Sequence, residues 1–567
     1  MLAAALWLAM GAAAPGAFAQ VPPGVPVTPK NAVSSQTVRG IVIERLNVFD
    51  STVKGEDWWG FRIANKIHIA TKEEVVRREL LLGPGDQYDQ LKALESERNL
   101  RSLGFFRRAE IKPVPRADGG SDLVVRTQDS WTTNVQFGAG TEGGDAYLNY
   151  GFSEDNLLGY GKSVNFLHTQ VGPKVTNTFS YFDPRFLGSR FRFTPYVART
   201  NHGDTVGTEL VQPFYSLDTL DAKGAFWNRS IDEQILYRDG DSYSKYLLAD
   251  RTVQAGYGVR LPADNQIVQR LELGWFSQRD LFVREDATIA GTLPANREMS
   301  GPTAGFSWVQ PQYIKETYIN KMERVEDFNL GNELSVYSAY SGQALGGDRD
   351  RTLVNVLDQQ GLFILPGRFA LAQAGVAGRL ADSKWENALF FTNLNLFWKT
   401  TWLYPQTWVA HFEANTGRKL DLENQVILGG NNGLRGYKNY SFTGGRSLLL
   451  NVENRFFFPG EYFHLVRFGG AVFFDSGCVV PEGAGFSFAR TRSDAGLGLR
   501  FASTRSESGS VIRMDAAYAL NSGPGGSRLV ISIRGQQAFQ IFNSSTKTVR
   551  TAPRTRLFPR SSTDPLQ

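Results

Sequence analysis

The residues best suited to chemistry lie between Leu428 and Gly477. A glycine-rich loop carries Arg435 in the run Leu434-Arg435-Gly436-Tyr437. Two alternating strands follow, and each puts one carboxylate on its less apolar face, Glu453 on the first and Asp475 on the second. A guanidinium satisfies a carboxylate through two parallel hydrogen bonds. The chemistry implied is therefore a non-covalent clasp: an arginine-bearing loop folded into the lumen of a membrane β-barrel and fastened there by a carboxylate. Gly433 and Gly436 let the loop turn tightly and approach the wall. A hairpin centred near Tyr462 sets residue 471 opposite Glu453, four residues, or roughly 13 Å, from Asp475. One guanidinium is then not expected to hold both carboxylates directly.

Other chemistries find little support. Gly159-Tyr160-Gly161-Lys162-Ser163 ends like a phosphate loop, but Asn156 stands where that loop needs glycine. The five histidines, His68, His168, His202, His411 and His464, do not approach one another at ligand spacing, so no metal site is expected. No G-x-S-x-G nucleophile elbow is present. The 61 basic and 56 acidic residues leave a net charge of only +5, too small an imbalance to argue for nucleic acid. The expectation is a protein without enzymatic activity and without a cofactor.

Positioning such a clasp takes a large β-architecture. The chain has 567 residues, 58 of them glycine, with 12% aromatic and 21% charged residues, which fits many strands and turns better than helices. Residues 1–19 read as a secretory signal, with an apolar core leading to Ala17-Phe18-Ala19; an N-terminal membrane anchor is the alternative, against which the segment is short and broken by Gly and Pro. No later run of about 18 apolar residues exists, so no membrane helix is expected. The single cysteine, Cys478, excludes an intramolecular disulfide.

Residues 20–37, rich in Pro, Val and Ser, read as a disordered leader. A strand is expected over Ile41–Phe49. Thr71 is placed to cap a helix running to Leu81, with Glu74 completing a capping box. A second helix is expected from Tyr88 to Leu103, on the spacing of Leu91, Leu94, Leu100 and Leu103. Strands Phe106–Val114 and Leu123–Thr127 follow. This β-α-α-β-β order, with Arg98-Asn99-Leu100-Arg101-Ser102-Leu103-Gly104-Phe105-Phe106 and Ala109-Glu110-Ile111, resembles a POTRA domain, a periplasmic module of outer-membrane assembly and secretion proteins. The stretch around Trp58-Trp59 departs from a minimal POTRA domain.

From Trp131 to Phe539 strands of about ten residues alternate with period two. In Arg190–Val197 one parity is Phe, Phe, Pro, Val and the other Arg, Arg, Thr, Tyr. Arginines would be costly in a dry core and are ordinary on a wet lumen wall. The last strands are expected at 406–416, 447–458, 466–478, 493–503, 509–520 and 527–539. About 409 residues at roughly 25 per strand and connection suggest about 16 strands. Leu529, Ile531, Ile533 and Phe539 share the lipid-facing parity of the closing strand. A basic tail over 540–567 is expected to be disordered, with anionic lipid contact as its functional alternative.

The POTRA-like region over 38–130, the barrel over 131–539, Asp155-Asn156-Leu157-Leu158-Gly159-Tyr160-Gly161, the loop at Leu434–Tyr437, Asn451-Val452-Glu453-Asn454-Arg455-Phe456 and Phe473-Phe474-Asp475-Ser476-Gly477 together resemble the BamA/TamA superfamily, the bacterial surface antigen family. The resemblance implies a mainly β fold: a transmembrane antiparallel barrel behind one small α+β POTRA-like periplasmic domain. It pairs Arg435 with Asp475, flanked by Gly436 and Tyr437; the hairpin spacing then leaves Glu453 to pair with Arg455. It also implies an outer-membrane protein that inserts or translocates unfolded outer-membrane or secreted client polypeptides. Membrane lipid would surround the barrel, and periplasmic assembly partners would meet the POTRA domain. A client would add a strand at the edge 106–114, and the barrel would open between residues 132–139 and 528–539. A passive pore or surface receptor on the same barrel is the alternative.

Overall fold

The computed structural model describes residues 33–535, apart from 143–144, 263–266, 403, 507–510 and 526–527. The signal segment, most of the leader, Phe539 and the basic tail lie outside the described residues.

A four-stranded sheet opens the chain. Its strands are β1 (Val33–Leu46), β2 (Gln87–Asp89), β3 (Phe106–Pro115) and β4 (Ser121–Asp129), in the order β2-β1-β4-β3. β1 starts inside the expected leader because Val33 and Thr37 already pair with Asp89 and Gln87. Three helices accompany the sheet: α1 (Trp59–Ile67), α2 (Glu73–Arg78) and α3 (Gln90–Ser102). The core is Val38, Val76, Leu100, Phe105, Leu123 and Val125 with their neighbours. The side chain of Asp89 caps α3 by accepting from Leu91 and Lys92 N–H groups. Thr71, expected as a cap, does something else. Its N–H and hydroxyl donate to Asp129 at 2.8 and 3.0 Å, which fastens the start of α2 to the end of β4. Burial raises the Asp129 carboxyl to about 6, against the pull of those two hydrogen bonds.

Beyond Asp129 the sheet order runs through twenty antiparallel strands, from Thr133–Glu142 to Leu529–Gly535, and returns the last strand to the side of the first. Nineteen of the junctions around this ring carry a paired register. The twentieth joins the last strand to the first. Tyr147, opposite Gly140, donates from its hydroxyl to the Ile533 carbonyl at 2.7 Å.

The strand number corrects the expectation of about 16. Many hairpins of the first half turn in two residues, as between Val171 and Lys174 or Arg238 and Asp241. Each strand and connection then takes about 20 residues rather than 25. The number stays even, so both chain ends of the barrel fall on the side of the small domain.

Alternation decides which face meets which medium. In Val511–Ala519, the odd-numbered positions Val511, Arg513, Asp515, Ala517 and Ala519 are buried, while Ile512, Met514 and Tyr518 point outward. Leu529 and Ile531 are likewise exposed on the outer face. Leu497 is 64% exposed there. A Leu497→Lys substitution is expected to destabilise the folded barrel by about 2–4 kcal/mol, read as a lower urea midpoint in lipid vesicles. An unchanged midpoint would contradict a lipid-facing outer wall.

Candidate functional site

Arg435 lies in the long connection between strands Gln406–Arg418 and Arg446–Phe457. This connection folds inward and pairs Val426–Leu428 with Phe442–Gly444. Leu428, Leu434 and Tyr437 bury against Leu449 and Ala519 of the wall. The Tyr437 hydroxyl donates to the Ser493 carbonyl at 3.0 Å or the Asn521 carbonyl at 3.2 Å. Gly433 has φ +101°, and a Cβ there would meet the Leu449 side chain at 2.2 Å. A Cβ on Gly436 would lie 2.5 Å from the Cβ of Asp494. Both glycines let the loop backbone touch the wall.

The Arg435 fork grips Asp475 twice, Nε to Oδ2 at 2.7 Å and Nη2 to Oδ1 at 2.8 Å. Its Nη1 also donates to Glu453 Oε2 at 2.6 Å. One guanidinium therefore holds both carboxylates, which corrects the estimate from hairpin spacing. The turn centres on Phe463 and His464, both with positive φ, and not on Tyr462. Glu453 thus faces Phe473 rather than residue 471, and Asp475 faces Asn451. The two carboxylates become diagonal neighbours on one face, about 7–8 Å apart. Phe473 sits between them, with its ring centroid 3.4 Å from the Arg435 guanidinium carbon.

The surroundings spread this contact into a network. Asn451 donates to Asp475 Oδ1 and to the Gly433 carbonyl, each at 2.7 Å. Glu453 Oε1 accepts from Arg455 Nε at 2.9 Å and Arg500 Nη2 at 3.4 Å. Arg500 also holds Asp515 at 2.6 Å, and Arg513 lies 3.5 Å from Asp515. Arg500, Asp515, Asn451 and Phe473 were not singled out from the sequence. Their signal was there, because each has inward parity: Phe473 on the strand of Asp475, Asn451 and Arg500 on its two neighbours, and Asp515 one strand further on.

A second inward segment was also missed. The connection between strands Arg297–Val309 and Asn332–Ser341 lies on the small domain's side and folds into a hairpin, Tyr313–Glu316 with Glu326–Asn329. Ile314, Ile319 and Phe328 pack with wall residues Phe369, Phe397 and Val409. Glu326 accepts the Ile319, Asn320 and Lys321 N–H groups at 3.2, 2.9 and 3.0 Å, which shapes the tip. Arg455 Nη1 donates to the Ile319 carbonyl at 2.7 Å. The base of the hairpin meets α3. Arg101 grips Asp327 with two bonds of 2.8 and 2.7 Å, Lys315 pairs with Glu97, and Arg98 stacks on Tyr313. A continuous set of contacts thus runs from α3 through the hairpin to Arg455, Glu453 and Arg435.

The expected docking edge, β3, is an edge strand. It is partly occupied: Ile111 N–H donates to Glu97 at 2.8 Å, and Pro113 and Pro115 have no N–H.

Two groupings among the described residues have metal-ligand types, Glu56/Glu461/His464 and His202/Glu233/Glu285. Each already holds a side-chain cation. Arg505 donates to Glu56 and Glu461 at 2.7 and 3.2 Å, and Lys245 reaches Glu233 at 3.3 Å.

Arg435→Ala would leave Asp475 and Glu453 buried without their shared cation. It is expected to cost about 3–5 kcal/mol of barrel stability. In an Arg435/Asp475 double-mutant cycle the double variant should lose clearly less than the sum of the singles. Additive losses in urea midpoint would show that the pair is not coupled.

Residues 65–129 match the POTRA family described as surface antigen variable number repeat. An outer membrane protein assembly factor BamA from Neisseria meningitidis is 31% identical over 129 residues, 22% of this chain and 16% of the relative. The same factor from Neorickettsia risticii is 35% identical over 92 residues, 16% of this chain and 12% of the relative. A relative from Treponema pallidum matches at 34% over 128 residues, 21% of this chain and 15% of the relative, so each match spans under a fifth of the relative's length. Among solved structures, BamA from Haemophilus ducreyi lacking POTRA domains 1–3 aligns over 88% of this chain and 84% of that one, at 14% identity and a TM-score of 0.36. CdiB from Acinetobacter baumannii aligns over 88% and 74%, at 13% identity and a TM-score of 0.42. Residues 65–129 thus match a POTRA family model, and part of the chain is similar to outer-membrane protein assembly factors.

Proposed function

We propose that this protein inserts or translocates client polypeptides at the outer membrane, and that the junction of the first and last strands is the route. The observation that carries this reading is the filled lumen. The Arg435 loop enters from one end and the 313–329 hairpin from the other, and they are linked through Arg455. A lumen so occupied argues against a standing pore and leaves the wall as the moving part. The junction bridged by Tyr147 and Ile533 joins the two ends of the barrel's strand order, and edge strands exposed on its opening would template an incoming strand.

The POTRA domain would act first. Addition of a client strand along β3 begins with Glu97 leaving the Ile111 N–H, and Glu97 also holds Lys315 of the lumen hairpin. Client arrival and hairpin release would then be one event. The likeness of residues 65–129 to assembly factors supports a client-handling role. The reading involves no covalent step and no cofactor.

The test is the folding of an unfolded outer-membrane client in liposomes that carry the protein. Faster folding than in empty liposomes is expected, and Arg435→Ala should remove most of the acceleration. Equal rates with and without the protein would contradict insertion and leave secretion or passive passage.

A further inference from the structure

Helix α1 has no role in the clasp or the lumen, and no side chain of it is fully buried. Its polar and aromatic back is held firmly. Phe61 stacks on Phe49 with centroids 4.1 Å apart, and Asn65 exchanges hydrogen bonds with the Phe49 backbone at 2.8 and 3.1 Å. Trp59, Ile63 and Ile67 recur every four residues and so share one face. They are 59%, 48% and 67% exposed, and Trp58 and Ile69 extend the same apolar surface at either end. Arg62 and Lys66, both exposed, flank the stripe.

The helix is bolted to the rim of the barrel. Arg505, in the turn after strand Arg492–Ser503, donates to Glu56 at 2.7 Å and to the His464 carbonyl at 2.9 Å. Gly55 sits against the His464 ring, and Phe61 meets the same ring edge-on. Next to His464, Phe463 is 83% exposed. The neighbouring connection on that rim exposes Trp402 and Tyr404. Aromatic girdles of this kind mark the level at which a barrel leaves the hydrocarbon. The apolar stripe of α1 is therefore carried at this rim, beside these exposed aromatics.

We propose that α1 is an interfacial membrane anchor. It lies flat in the headgroup layer of the leaflet on the POTRA side, with Trp59, Ile63 and Ile67 toward the acyl chains. Arg62 and Lys66 extend to lipid phosphates. Lipid is the favoured occupant because the stripe is held at the barrel rim beside exposed Phe463, Trp402 and Tyr404 and its flanks are basic. The anchor would hold the POTRA domain against the bilayer beside the late strands of the barrel. It requires the barrel to span the membrane and does not depend on client insertion.

The test uses the full chain with Cys478→Ser, reconstituted in liposomes of phosphatidylethanolamine and phosphatidylglycerol. An environment-sensitive fluorophore is placed at Ile63→Cys or, as a control, at Asp118→Cys in the exposed β3–β4 turn. At 63 a blue-shifted emission is expected, with loss of intensity when the lipids carry a quencher about 5–10 Å below the headgroups. The probe at 118 should show neither effect. Replacing both Arg62 and Lys66 by Gln should weaken quenching at 63. A blue shift at 63 without lipid quenching would mean that protein covers the face, and would overturn the proposal. An unshifted, unquenched probe would overturn it too, by leaving the face in water.

Discussion

A buried arginine has to be matched, and the interior of this barrel is organised by that requirement. Arg435, Arg455 and Arg500 converge on Glu453, with Asp475 and Asp515 completing the charge balance. Removing any one member leaves an uncompensated charge out of water, which costs far more than an intact network contributes. The glycines at 433 and 436, the inward parity of four successive strands and the Phe473 platform all serve this one contact. Because the matching groups come from the loop and from the wall, the loop cannot leave the wall without breaking the set.

The same network reaches the opposite end of the molecule. Arg455 reaches both ways, with Glu453 on one side and the Ile319 carbonyl on the other. The hairpin beyond Ile319 is in turn gripped by Arg101 of α3 through Asp327. The POTRA domain and the inward loop are therefore joined by a short series of polar and charged contacts. Thr71 and Asp129 make a second, separate tie between α2 and the strand that leads into the barrel.

Much of this was legible in the residues. Period-two alternation located the late strands, and the glycine-rich loop with its arginine pointed to the clasp. The pairing with Asp475 came from the resemblance, and the sharing with Glu453 was hidden by two residues of register. That register depends on Phe463 and His464 adopting positive φ, which neither residue type advertises, unlike the Asn-Gly of a typical two-residue turn. The strand number was missed for a related reason, since short turns such as 172–173 and 239–240 need fewer residues than an average connection. The hairpin at 313–329 was overlooked because its four-residue strands are too short to show a period, and only the packing of Ile314, Ile319 and Phe328 against the wall defines it. The tryptophans at 58 and 59 stood out in the sequence, but their place at the rim depends on Arg505, more than 400 residues away.

The central claim is that the loop and the hairpin close the lumen jointly through Arg455. Single-channel conductance in planar bilayers tests it most directly, comparing the native protein with Arg455→Met, which keeps bulk but cannot bridge Glu453 and Ile319. The account expects little steady current from the native protein and frequent, larger openings from the variant. A native protein that conducts steadily, or a variant that conducts no more than the native protein, would contradict it.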